Sequence, residues 1–202
     1  MPLSPPARRT HLHARKIAID GYVRDDGKWE IEGRIVDNRA YAFDNEWRGR
    51  VQPETPLHEM WARLTLEDDL TIVAIEVATD QSPFAICPEV LPNFQRLVGA
   101  KIGGGFAKLV REAVGGNKGC THIVDMLSQM ATVALQTKIP AQARAARDRA
   151  LGRPVADVAG ARSPWADAGG SAKPPVLDTC YAWSSEGAVV KRLLPQHYTG
   201  KP

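Results

Sequence analysis

Cysteine is scarce in this 202-residue chain. Cys87, Cys120 and Cys180 are an odd, widely spaced trio, which excludes a disulfide framework and fits a reducing compartment. Long apolar runs are missing too. The most apolar stretch, residues 70–78, is interrupted by Thr71 and Glu76 and is far short of the roughly 20 residues that span a bilayer. The opening MPLSPPARRTHLHARK contains no apolar core of the kind a signal peptide needs. These absences predict a cytoplasmic protein with no membrane partner. Charge of one sign is also lacking: 26 Lys and Arg stand against 23 Asp and Glu, for a net +3. The basic stretches, the first sixteen positions and residues 144–153, have no interleaved aromatics, so no nucleic-acid partner is expected. HExxH, CxxC, GxGxxG and GKS patterns are absent, which removes the standard protease, zinc and phosphate-loop signatures.

What remains is an ordinary globular composition, 44% hydrophobic and 24% charged. A chain of this length buries about 70% of its unfolded surface in one core, so a single α+β domain over residues 11–202 is predicted. It follows a flexible arm at 1–10 and carries a variable Ala/Arg/Gly/Pro-rich excursion at 141–175, which could open with a short helix. Period-two alternation marks strands at 11–23 and 28–36 around an Asp25-Asp26-Gly27 turn, and again at 61–66 and 70–79. The period then changes. Val90, Phe94, Leu97 and Val98 predict a helix opened by Pro88, Phe106 to Val114 a second, and Ile123, Met126, Leu127, Met130 and Ala134 a third, closed by Pro140. Strands followed by helices indicate an antiparallel sheet packed on helices. Residues 176–183 and 188–194, around a Ser184-Ser185-Glu186-Gly187 turn, are read as a C-terminal hairpin.

Four histidines are candidates for acid–base work. His11 and His13 share a strand face by their spacing of two. His58 precedes a strand, and His122 lies one residue inside the third helix, where the dipole disfavours added positive charge and keeps the ring neutral. At the same helix start Cys120 and Thr121 are read as substrate-binding residues, because the unsatisfied backbone N–H groups and the positive dipole end could hold a carboxylate or phenolate there; the plainer alternative makes Cys120 a small buried thiol and Thr121 an N-cap. Asn45 and Arg48 could hold a polar ligand group, and Trp47 and Trp61 offer walls for an aromatic ring. Lys191 and Tyr198 complete the set, with Lys191 or Arg48 as partner to a phenolate. A zinc ion would need Cys120 and His122 to meet His11, His13 or Cys87 across the fold. No metal is therefore included in the predicted site.

The motifs HLHAR, GxWxIEGRIVD, LHEMWARLTLEDDLTI, ATDQSPFAICPE, GCTHIVDML, LDTCYA and VVKRLLPxxYTG form a pattern that resembles a bacterial family catalogued as a domain of unknown function. The resemblance covers most of the chain apart from the first residues and the 141–175 excursion. It implies a role in catabolism of aromatic compounds or acyl-CoA esters, and within it an enzyme resembling a phenylcoumaran γ-formaldehyde lyase. No residue role is carried over from it. The expected function is a cofactor-independent carbon–carbon lyase acting on a small lignin-derived aromatic dimer. A non-catalytic binding or accessory protein and a zinc-dependent enzyme are the alternatives, and assembly as a homo-oligomer stays open.

Overall fold

The computed structural model describes residues 3–153, 174 and 176–200. Within Met1–Gln136, the first of two compact units, four long strands form one antiparallel sheet: β1 (His13–Val23), β2 (Trp29–Arg39), β5 (Pro56–Leu66) and β6 (Ile72–Gln81), in the order β1-β2-β5-β6. The sequence periodicity anticipates these strands. It misses the small hairpin of β3 (Phe43–Asn45) and β4 (Gly49–Val51), whose three-residue strands are too short to show a period.

Alternation assigns the faces. Trp29, Ile31, Ile35, Met60, Ala62, Leu64 and Leu66 point inward and are almost wholly buried, whereas Arg34 and Trp61 face outward as a cross-strand pair. The α-helix α1 (Phe106–Val114) buries Phe106, Val110 and Val114. α2 (Thr121–Ala150) buries Ile123, Met126, Leu127, Met130 and Ala134, the face that the 3.6-residue period marks. α2 lies close against β2: a Cβ placed on Gly33 would stand 2.9 Å from the sulfurs of Met126 and Met130. Glycine at 33 thus sets how closely helix and sheet approach.

Three predicted elements need correction. Cys87–Leu97 is a 3₁₀ helix rather than an α-helix. Pro92 removes a donor from the i→i−4 ladder in the middle of the segment, and the buried pair Phe94 and Leu97 is spaced by three residues. Pro140 does not close the third helix. α2 runs through it to Ala150, because the Ala-, Gln- and Arg-rich turns beyond are strong helix formers that outweigh one lost hydrogen bond. The first part of the 141–175 excursion is therefore helical, and residues 154–173 and 175 lie outside the described residues. Residues 3–12 carry no helix or strand and are exposed.

The third correction concerns the second compact unit, Thr137–Pro202, where the C-terminal hairpin is absent. Tyr181–Trp183 is a 3₁₀ turn and Ala188–Leu193 is a short helix, α3. The Ser184–Gly187 turn does form, with Gly187 N–H bonded to the Ser184 carbonyl at 2.8 Å. Val190 and Leu194, four apart, bury together with Leu177 against Trp183 and Tyr198. A run this short fits helix or strand equally well by periodicity, and packing decides. Among the described residues no helix is long and apolar enough to cross a membrane.

Candidate functional site

Polar residues occupy the inward face at one end of the sheet. Alternation puts Arg15 in line with Ile17 and Ile19 on β1, Asp37 in line with Ile31 and Ile35 on β2, and His58 at the head of the buried Met60, Ala62, Leu64 series on β5. Register makes them neighbours, since Arg15 pairs with Asp37 and Asp37 with His58. Next to them the register shifts so that Asn38 pairs with Pro56 and Leu57 is the extra residue. Such a bulge re-aims side chains beside functional sites.

Asp37 is the hub, only 1% exposed. Arg15 donates to it bidentately, Nε to Oδ1 at 2.7 Å and Nη2 to Oδ2 at 2.9 Å, and reaches Asp125 of α2 with Nη1 at 3.3 Å. His122, from the first turn of α2, places Nε2 3.0 Å from Asp37 Oδ2. His58 Nδ1 is 3.4 Å from the same oxygen, and His13 Nε2 is 3.6 Å from Oδ1. The His58 and His122 rings stack with centroids 3.8 Å apart and planes inclined by 30°. On its other edge, His122 Nδ1 faces the Cys120 sulfur at 3.6 Å, and that sulfur also lies 3.6 Å from Met60 Sδ.

Electrostatics fixes the charge states. Burial pushes the Asp37 carboxyl upward, but the Arg15 hydrogen bonds and charge pull it further down, so it stays ionised below the ordinary carboxylate value. Burial and then the neighbouring His122 lower His58 to about 4, against the pull of Asp37. His122 is lowered as well, by burial first, with Asp37 opposing and Arg15 reinforcing. Both imidazoles are neutral at pH 7. The helix dipole is expected to keep His122 neutral; in the fold its burial does so first. Burial raises the Cys120 thiol even though the backbone N–H groups of Ile123 and His122 point to its sulfur. The Cys120 carbonyl accepts the Val124 N–H at 3.0 Å, so Cys120 rather than Thr121 stands at the N-cap, and Thr121 is exposed.

Of the four candidate histidines, His13, His58 and His122 converge on Asp37, while exposed His11 turns its Nε2 to the His13 carbonyl at 3.0 Å. Trp61 lies on the opposite face of the sheet, bonded to Asp80 and under the Arg34 guanidinium. Asn45 ties its own turn, accepting from the N–H groups of Trp47 and Arg48, and Trp47 is 58% exposed. Arg48 donates to the Pro56 carbonyl at 2.8 Å and so secures the start of β5. Lys191 and Tyr198 belong to the second unit, where the ammonium lies 5.2 Å from the ring centre.

Asp37 and Arg15 are the members that sequence reasoning missed. Their signal was a charged residue at a position where alternation calls for an apolar one. Asp37, His58 and His122 offer one ligand atom each, all within 4.8 Å of one another. Beside Cys120 a cavity of about 430 Å³ is lined by Ile86, Cys87, Glu89, Val90 and Gly119.

Comparison with curated proteins and with solved structures gives no match. A family model described as a protein of unknown function, DUF2889, matches residues 13–136. That span includes the whole sheet and every member of the Asp37 cluster, and by it the chain belongs to the DUF2889 family.

Proposed function

We propose that the Asp37 cluster is the acid–base centre of a carbon–carbon lyase that releases formaldehyde from a lignin-derived aromatic dimer of the phenylcoumaran type. The observation that carries the acid–base reading is the convergence of three imidazoles on one buried, ionised carboxylate. The substrate class rests on the motif resemblance, and the odd, widely spaced cysteines support a cytoplasmic place of work.

The chemistry asks for a proton acceptor, a partner for a phenolate and room for a ring. An imidazole at the rim, His58 through Nε2 or the more exposed His13, takes the proton of the substrate's primary hydroxyl. The electron pair left on oxygen forms the C=O of formaldehyde as the carbon–carbon bond to the hydroxymethyl group breaks. That bond's pair forms a new carbon–carbon double bond, and the ring ether C–O bond opens to a phenolate, which takes a proton back. No oxidant or reductant is consumed. Arg15 is the cation of the cluster and faces the developing phenolate. His122, held by Asp37 on one edge and Cys120 on the other, orients the stack. The cavity beside Cys120 has the size and apolar lining for one aromatic ring.

The test is turnover of a phenylcoumaran bearing a primary hydroxyl, with formaldehyde trapped chemically and the stilbene product followed by absorbance. Wild type should release one formaldehyde per dimer, while His122→Gln and His58→Gln, folded, should lose on the order of 10²-fold or more. Ligand-dependent stabilisation without product would make the protein a binding module instead.

A further inference from the structure

We infer that Asp37, His58 and His122 form a divalent transition-metal site, ligated through Asp37 Oδ2, His58 Nδ1 and His122 Nε2. The donor set differs from the cysteine-containing one considered from sequence. It rests on reading the cluster as the reacting centre, and it adds an ion to that centre.

Three observations carry it. The first is spacing. Metal–ligand bonds of about 2.0 Å in tetrahedral geometry set adjacent donor atoms roughly 3.3 Å apart. Asp37 Oδ2 stands 3.0 Å from His122 Nε2 and 3.4 Å from His58 Nδ1. The second is an orphan: His58 Nδ1 is buried and makes no hydrogen bond, although it is aimed at the carboxylate. Buried polar atoms are nearly always paired, and an unpaired one needs a partner to account for it. An ion at the shared focus supplies that partner. The third is the surrounding support. Arg15 grips both carboxylate oxygens of Asp37, and the Cys120 sulfur sits 3.6 Å from His122 Nδ1, where it can accept a hydrogen bond from that nitrogen once Nε2 ligates. Ligating carboxylates and imidazoles are oriented by such outer partners.

Two imidazoles and one carboxylate suit zinc or iron(II) and leave a coordination position for water or a substrate oxygen. An ion there acts as a Lewis acid on a hydroxyl, lowering a proton affinity that imidazole alone meets poorly. His58 then serves as ligand, and His13, outside the donor set, is left as the proton acceptor at the rim.

The full chain, stripped with chelator and dialysed, is titrated with ZnCl2 by calorimetry and with CoCl2 by visible absorbance. One ion per chain is expected, with a rise in melting temperature. Affinity should fall at least tenfold in His58→Gln and in His122→Gln, and should be unchanged in His11→Ala. Circular dichroism melts establish that each variant folds, and Asp37→Asn supplies a third reading if one does not. Failure of the folded wild type to bind either ion, or binding that survives both glutamine substitutions, overturns the site. Stoichiometric metal without formaldehyde release supports the site and overturns the lyase reading. Full turnover by stripped protein that takes up no ion overturns the site and leaves the lyase reading standing.

Discussion

Acid should destabilise this protein through His58, and the size of the effect follows from its surroundings. Burial and the adjacent His122 hold the folded imidazole at about 4, against 6.5 for an ordinary histidine, which is the value expected in the unfolded chain. Between those two values the unfolded chain carries a proton that the fold does not, so stability falls as the pH drops through 6.5. The loss is complete near pH 4, below which both states are protonated. Each pH unit in that window is worth about 1.4 kcal/mol for one proton, giving a loss of about 3 kcal/mol. His122 is lowered in the same direction and adds to the slope. Asp37, held below its ordinary value by Arg15, loses its contribution only at still lower pH and does not mask the effect. The measurement is urea denaturation in chelator at half-unit steps from pH 7.5 to 4, for wild type and His58→Asn, which keeps an amide donor facing Asp37. The variant should show a slope shallower by about one proton across the window. Equal pH dependence in the two proteins would refute the account of His58 as a buried neutral base.

Other substitutions test the same architecture. Asp37→Asn removes the buried carboxylate that Arg15 grips; since the guanidinium is partly exposed and keeps Asp125, the cost should be about 2 to 3 kcal/mol by chemical denaturation, below that of a fully buried pair. Gly33→Ala sets a methyl against two methionine sulfurs and should destabilise by about 1 to 3 kcal/mol, at the low end because methionine side chains yield. A stabilised Gly33→Ala would contradict the close approach of α2 to β2. Cys120→Ser should lose roughly 1 to 2 kcal/mol by thermal melt while retaining turnover, because burial raises the thiol and the elimination needs no covalent intermediate. A rate loss beyond a hundredfold in the folded variant would make the thiol a participant. Pro140→Ala restores a donor inside α2 and should stabilise the protein by up to the roughly 3 kcal/mol that an interior proline costs, read as a higher melting temperature.

The sequence by itself determined the layout: four alternating strands, then helices, and the apolar face of α2 from Ile123 to Ala134. Alternation and helical period are local properties of the chain, written wherever one face is buried. Where a segment was too short for a period, as in β3, β4 and α3, or where a proline met strong helix formers, as at residue 140, local pattern was silent or misleading and packing decided. The candidate site divides the same way. His13, His58 and His122 are identifiable as residues with useful chemistry, but their meeting point is not, because it depends on three things absent from any single segment: the β1-β2-β5 register, the bulge at Leu57, and the docking of the α2 start over that end of the sheet. Asp37 shows the difference most plainly. In sequence it is one acid near the end of a strand; in the fold it is buried, ionised by Arg15 and faced by three imidazoles. A carboxylate's environment belongs to the tertiary structure, because desolvation and charge pairing depend on distance in space and carry no signature along the chain.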